Sequence, residues 1–135
     1  MRKIIIASHG KLAEGFVSTV KFFAGEQNIS FICAYVDNRS LEDKITSILN
    51  DIKADDELIV FTDLLGGSVN RAFLSYLNRE HTHIIAGANL AVILEIISKQ
   101  EQYLTQKEVE DIVVEAQKQL VYMNCYEVLV SEDDE

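Results

Sequence analysis

Three short polar segments, each following an apolar run, hold the side chains that could do chemistry: Ser8-His9-Gly10, Thr62-Asp63 through Ser68, and Gly87-Ala88-Asn89. His9 is the sharpest of these signals. An imidazole at the end of a strand is held rigidly and faces solvent, and at neutral pH it can attack an electrophile if one ring nitrogen carries no proton. A lone histidine in such a place more often caps or completes a hydrogen bond, so its neighbours decide the weight it is given. Asp63 ends a later apolar run. Alone it would more often be a helix cap. In a doubly wound sheet, however, the first and third strands can be adjacent, which sets a carboxylate beside His9. That carboxylate would hold the proton on one ring nitrogen, leave the other free to attack, and offset the positive charge that develops. Gly66-Gly67-Ser68 then opens a helical stretch, where free backbone N–H groups and a hydroxyl suit a phosphoryl group. Together the three describe a histidine that can be phosphorylated, with His9 and Asp63 as catalytic residues and Gly66, Gly67 and Ser68 as phosphoryl-binding ones.

Competing constellations are weaker. Ser8 or Ser68 with His9 and Asp63 would make a hydrolytic set, but no G-x-S-x-G elbow is present and His9 comes too early in the chain for that order. His81 and His83 are expected on opposite faces of a strand entrance, which disfavours a shared metal. Cys33 and Cys125 lie far apart in apolar surroundings and read as reduced packing residues. No metal site is expected. Neither a Walker A motif nor G-x-G-x-x-G occurs, so no nucleotide or other cofactor is implied. The Tyr and Phe residues fall mostly at helix or strand periods and are assigned to packing.

The elements that must position these residues alternate along the chain. Continuous apolar runs at Lys3–Ala7, Ile29–Val36, Glu57–Thr62 and His83–Ala86 read as buried strands. Between and after them, helical periods cover Leu12–Ala24, Leu41–Ile52, about Val69–Asn78 and Leu90–Ser98. A capping box at Thr105 and Glu108 opens a last helix with Val109, Ile112, Val113, Ala116 and Leu120 on one stripe. Ser40 and Asp43 form a similar signal. Tyr126–Val130 reads as a final strand. This predicts an α/β fold: a doubly wound, mostly parallel sheet with helices on both faces. The polar segments then fall on the rim at the carboxyl ends of the strands, where open sheets of this kind bind ligands.

Composition narrows the function. With 135 residues, 48% of them apolar and 25% charged, the chain suits one domain with a sizeable core. A net charge of −10, still −6 over residues 1–130, argues against nucleic acid and favours a basic protein partner. No apolar run approaches the ~18 residues of a membrane span. Met1 to Ile6 is too short in apolar residues for a secretion signal, so a cytoplasmic protein is expected.

The segments Ile4-Ile5-Ile6-Ala7-Ser8-His9-Gly10 with Leu12-Ala13-Glu14-Gly15, Phe61-Thr62-Asp63-Leu64-Leu65-Gly66-Gly67-Ser68 with Asn70, and Ile85-Ala86-Gly87-Ala88-Asn89-Leu90 give the chain, over about residues 3–124, a specific resemblance to a known family. It resembles the enzyme IIA domains of the mannose class of the bacterial phosphoenolpyruvate-dependent sugar phosphotransferase system. The resemblance implies a phosphorelay. The histidine matching His9 accepts a phosphoryl group from the histidine-containing phosphocarrier protein and passes it to a IIB component for sugar uptake. Asp63 matches the aspartate that orients the histidine, and Ser68 matches a hydroxyl near the phosphoryl group. It also implies a homodimer in which a C-terminal strand, here Tyr126–Val130, is exchanged, and contact with the membrane only through the transporter complex.

Val69 and Ala91 stand where the family often has prolines, which removes backbone rigidity but no reactive group. The expected organisation is a IIA domain over residues 1–130 and an acidic tail over 131–135, as a separate subunit or as part of a longer IIAB protein. Two other readings are a phosphotransfer domain serving a dihydroxyacetone kinase, which shares the fold and an early histidine, and a regulatory domain controlled by phosphorylation. The GGS segment favours the sugar system.

Overall fold

The computed structural model describes residues 1–127, and a four-stranded, all-parallel sheet forms its centre. Its strands are β1 (Arg2–His9), β2 (Ile29–Ala34), β3 (Glu57–Thr62) and β4 (Thr82–Ile85), in the order β2-β1-β3-β4. The chain steps outward from β1 to β2, then crosses back over β1 to lay β3 on its other side. Winding therefore reverses between β1 and β3. At that reversal the register pairs Ala7 with Thr62, so His9, the last residue of β1, and Asp63, the first beyond β3, come side by side.

The apolar runs of β1 and β3 are continuous because both faces of these central strands are covered. Side chains alternate between the faces. Ile4, Ile6, Ile59 and Phe61 join one core cluster with α1 (Leu12–Ala24), α4 (Leu90–Ser98) and α5 (Gln106–Gln117). Ile5, Ala7, Leu58 and Val60 join a second with α2 (Leu41–Leu49) and the segment that begins with α3 (Ser68–Arg71), including Val69 and Phe73. Both clusters are built from side chains that are almost wholly removed from water.

The helix starts follow the expected chemistry. The Ser40 side chain accepts from the Asp43 N–H, and Thr105 with Glu108 forms both arms of a capping box. The start of α1 has no cap from Lys11; instead Ser8, buried at the end of β1, accepts from the Ala13 N–H at 2.7 Å. Gly10, at φ 58°, makes the left-handed turn that lets α1 begin so soon after His9.

Four expectations need correction. The helix read over Val69–Asn78 is only one α turn, followed by a 3-10 turn at Leu74–Tyr76. The physical reason is spacing: Asn70, Phe73 and Tyr76 recur every three residues, the period at which a 3-10 helix stacks side chains on one face. Phe73 is fully buried, with its ring 6.4 Å from that of Tyr76. Leu120 lies past the end of α5 and is 93% exposed. Cys125 is exposed rather than packed, while Cys33 rests partly buried against the first cluster. His81 and His83 turn to the same segment: His81, at φ 57°, stacks on Tyr103 at 3.6 Å, and His83 Nε2 lies 3.0 Å from the Leu104 carbonyl, as befits residues two apart. Of the proposed strand Tyr126–Val130, Tyr126 and Glu127 lie outside any strand and Val128–Val130 lie outside the described residues.

Candidate functional site

His9 is the last residue of β1, and its side chain is 43% exposed at the carboxyl rim of the sheet. Asp63, just beyond β3, meets it twice. One carboxylate oxygen, Oδ2, lies 2.7 Å from the His9 backbone N–H and 2.7 Å from Nδ1 of the ring. Burial is the largest single influence on this carboxyl and pushes it up. The His9 backbone N–H, the His9 ring and the Leu64 N–H together outweigh it and hold Asp63 below its ordinary value. An ionised carboxylate can only accept, so the proton of the neutral ring sits on Nδ1 and the lone pair on Nε2.

On the other side of the ring, the Ser68 hydroxyl lies 3.2 Å from Nε2. Ser68 is brought there by a loop tied at several points. The Gly66 N–H donates to Asn70 Oδ1 and the Gly67 N–H to the Leu64 carbonyl, both at 3.0 Å, while Arg71 donates to the Gly66 carbonyl at 2.9 Å. Asn70 in turn donates to Thr62 Oγ1 at 3.1 Å. The N–H groups of Gly66 and Gly67 are thus engaged within the loop rather than aimed at a ligand. The glycines act through shape. Gly66 has φ 76°, and a Cβ on Gly67 would meet the Leu64 carbonyl at 3.2 Å and His9 Cε1 at 3.6 Å. The turn that opens at Ser68 leaves the Ser68 and Val69 N–H groups without a backbone acceptor.

The third rim segment has a supporting place. The Gly87 and Ala88 N–H groups donate to the Asp63 and Thr62 carbonyls, at 2.5 and 3.0 Å, bracing the loop that carries the carboxylate. Asn89 caps α4 by accepting from the Val92 N–H and donates to the Ala116 carbonyl, away from His9. Ser8 is likewise occupied as the cap of α1.

One residue at the site escapes sequence reading. Tyr35, assigned to packing by its period, is 63% exposed just beyond β2; its hydroxyl lies 2.7 Å from Ser68 Oγ, and its ring centroid is 5.4 Å from that of His9. The available signal was its position at the carboxyl end of a strand next to β1. Gly10 donates to the Ala34 carbonyl at 2.9 Å and ties these two strand ends together.

The family model described as PTS system fructose IIA component matches residues 3–113, a span that contains His9, Asp63 and Ser68. The chain belongs to this family of phosphotransferase-system IIA components. Among similar proteins, the PTS system fructose-specific EIIA component of Bacillus subtilis (strain 168) is 26% identical over 105 residues, covering 75% of this chain and 72% of that one. Two solved structures share the fold closely. A candidate phosphoenolpyruvate-dependent sugar phosphotransferase system permease from Klebsiella pneumoniae is 34% identical, with a TM-score of 0.85 and 92% of each chain covered. A PTS IIA protein associated with the fucose utilization operon of Streptococcus pneumoniae is 29% identical, with a TM-score of 0.70, covering 91% of this IIA chain and 93% of the other.

Proposed function

We propose that this IIA chain is a phosphocarrier that takes a phosphoryl group on Nε2 of His9 from the histidine-containing phosphocarrier protein and hands it to a IIB component. The observation that carries the reading is the 2.7 Å contact between Asp63 and Nδ1, which leaves the exposed Nε2 as the nucleophile. In the forward step the donor's N–P bond breaks as the Nε2–P bond forms. The Nδ1 proton stays in place. The ring becomes cationic, and the Asp63 carboxylate, already held in its charged form, offsets that charge. The Ser68 hydroxyl and the N–H groups at the start of α3 are placed to meet the phosphoryl oxygens, with Gly66 and Gly67 supplying the close approach.

A protein donor fits the surroundings. His9 stands open on the rim, and the loop beside it carries Leu64 and Leu65, which are 70% and 84% exposed. An exposed apolar margin suits docking of another macromolecule better than enclosure of a small one. Family membership favours sugar uptake over service to a dihydroxyacetone kinase or a purely regulatory role. Among the described residues no helix is long and apolar enough to cross a membrane.

The test is incubation with phosphoenolpyruvate and the two general phosphotransfer proteins, followed by mapping of acid-labile phosphate and by addition of a IIB component. Label is expected on His9, absent in His9→Ala with an unchanged circular dichroism spectrum, and chased by IIB. Label retained by His9→Ala would point to another nucleophile and overturn the reading.

A further inference from the structure

Tyr35 combines three features that packing does not explain: it is 63% exposed, it has a left-handed backbone at φ 66°, and its hydroxyl is spent on Ser68 at 2.7 Å. A bulky residue that is not glycine adopts this conformation at an energetic cost, and such outliers persist where the surrounding structure holds them, commonly at functional sites. Here the hold is visible in the bond from Gly10 to the Ala34 carbonyl and in the approach of the Tyr35 ring to His9.

Counting protons fixes the direction of every bond in the chain. Asp63 accepts only, so Nδ1 donates to it and Nε2 holds a lone pair. The single proton of Ser68 then points to Nε2, 3.2 Å away. Ser68 Oγ is left as an acceptor, and the Tyr35 hydroxyl donates to it. We propose that Tyr35 is a positioning residue for phosphoryl transfer, fixing Ser68 Oγ so that its proton covers Nε2 at rest and swings to a phosphoryl oxygen as the bond to Nε2 forms. This rests on the phosphohistidine reading given above. The step is balanced: the donor's N–P bond breaks, the Nε2–P bond forms, and Nδ1, Ser68 and Tyr35 each keep their proton. Only the Ser68 O–H turns, about its Cβ–Oγ bond. Without the tyrosine hydroxyl, Oγ is free to leave the line between the ring and the incoming group.

Tyr35→Phe keeps the ring against His9 and removes only the donor. In single-turnover transfer from the phosphorylated phosphocarrier protein, the rate should fall roughly tenfold, the loss of one hydrogen bond. In a Ser68→Ala background the same change should cost less than about twofold, because the tyrosine acts through that serine. In the unphosphorylated protein, the Nε2 resonance of His9 in long-range 1H–15N spectra should move in Tyr35→Phe toward its position in Ser68→Ala. An unimpaired Tyr35→Phe variant would overturn the proposal, as would an equal loss in both backgrounds. A wild-type protein that takes no phosphate on His9 would overturn the functional reading instead. The 1H–15N arm still reads the hydrogen-bond chain in that case, and an unmoved resonance would remove it.

Discussion

His9 could be singled out from its place after an apolar run, and Asp63 from the idea that the first and third strands adjoin; the register that pairs Ala7 with Thr62 is what makes them neighbours. Tyr35 shares that place at the carboxyl end of a strand, but nothing in its type announces a left-handed backbone, and its contact depends on how β2 ends. The engagement of the loop N–H groups is equally hidden, since that of Gly66 depends on Asn70 folding back on the loop and that of Gly67 on a turn that closes onto the Leu64 carbonyl. Asp63→Asn tests the pairing with His9 most sharply. Asparagine keeps the shape, loses the charge, and can turn its amide to donate toward Nδ1, which moves the ring proton onto the nitrogen needed for attack. Phosphoryl transfer should slow on the order of a hundredfold or more, while affinity for the phosphocarrier protein, measured by titration calorimetry, changes little. An unimpaired variant would remove Asp63 from the mechanism.

Elements were legible where hydrophobic period and capping chemistry agreed. Leu12–Ala24, Leu90–Ser98 and Glu57–Thr62 coincide with α1, α4 and β3, because each has a clear period or run and a marked end. The stretch after Ser68 departs from the expected helix because its packed side chains recur every three residues rather than every 3.6. The end of α5 was overrun because Leu120 continues the stripe in sequence, whereas the helix stops at Gln117. A further tie, with no signal in hydrophobic period or capping chemistry, lies at the opposite end of the strands from His9. Glu57, fully buried at the start of β3, pairs with Arg2 at 2.5 Å and accepts from the Leu104 N–H at 2.6 Å. Arg2 also donates to the Lys99 and Glu101 carbonyls, so this cluster seats the segment between α4 and α5. Glu57→Ala leaves the Arg2 guanidinium without its counter-ion and the Leu104 N–H without its acceptor, and should cost about 3–5 kcal/mol in urea unfolding. A loss below ~1 kcal/mol would show that the cluster is not a structural tie.

For the whole molecule, the acidic balance bears on stability as well as on partners. Asp56 is held below its ordinary value by the Lys53 N–H first, against burial, and by the N-terminal ammonium. Asp63 is held below it by His9 and Leu64, against burial. For both groups the unfolded chain takes up its proton at the higher pH. Their contribution is therefore complete above about pH 4 and is lost as the pH falls through the still lower folded values. Unfolding free energy measured in urea should decline below about pH 4, less steeply in Asp63→Asn; an identical slope would show that this carboxylate is not held low in the folded state.

The assembly is also open to test. At the carboxyl end of β4, Ile85, Ala88, Val92, Val113 and the exposed Leu120 line an apolar cleft of about 500 Å³. The homodimer implied by the resemblance would use the chain after Asn124 to pair with a sheet edge. Truncation after Asn124 should weaken or abolish dimerisation in light scattering, and a monomeric full-length protein at micromolar concentration would refute it.

The proposed phosphoryl transfer comes down to one atom, Nε2 of His9. Phosphorus NMR of the protein phosphorylated through phosphoenolpyruvate and the general phosphotransfer proteins distinguishes the two phosphohistidine isomers. With Nδ1 committed to Asp63, the Nε2 isomer alone is expected, lost in His9→Ala; a Nδ1 signal, or phosphate on any other residue, would overturn the proposed chemistry.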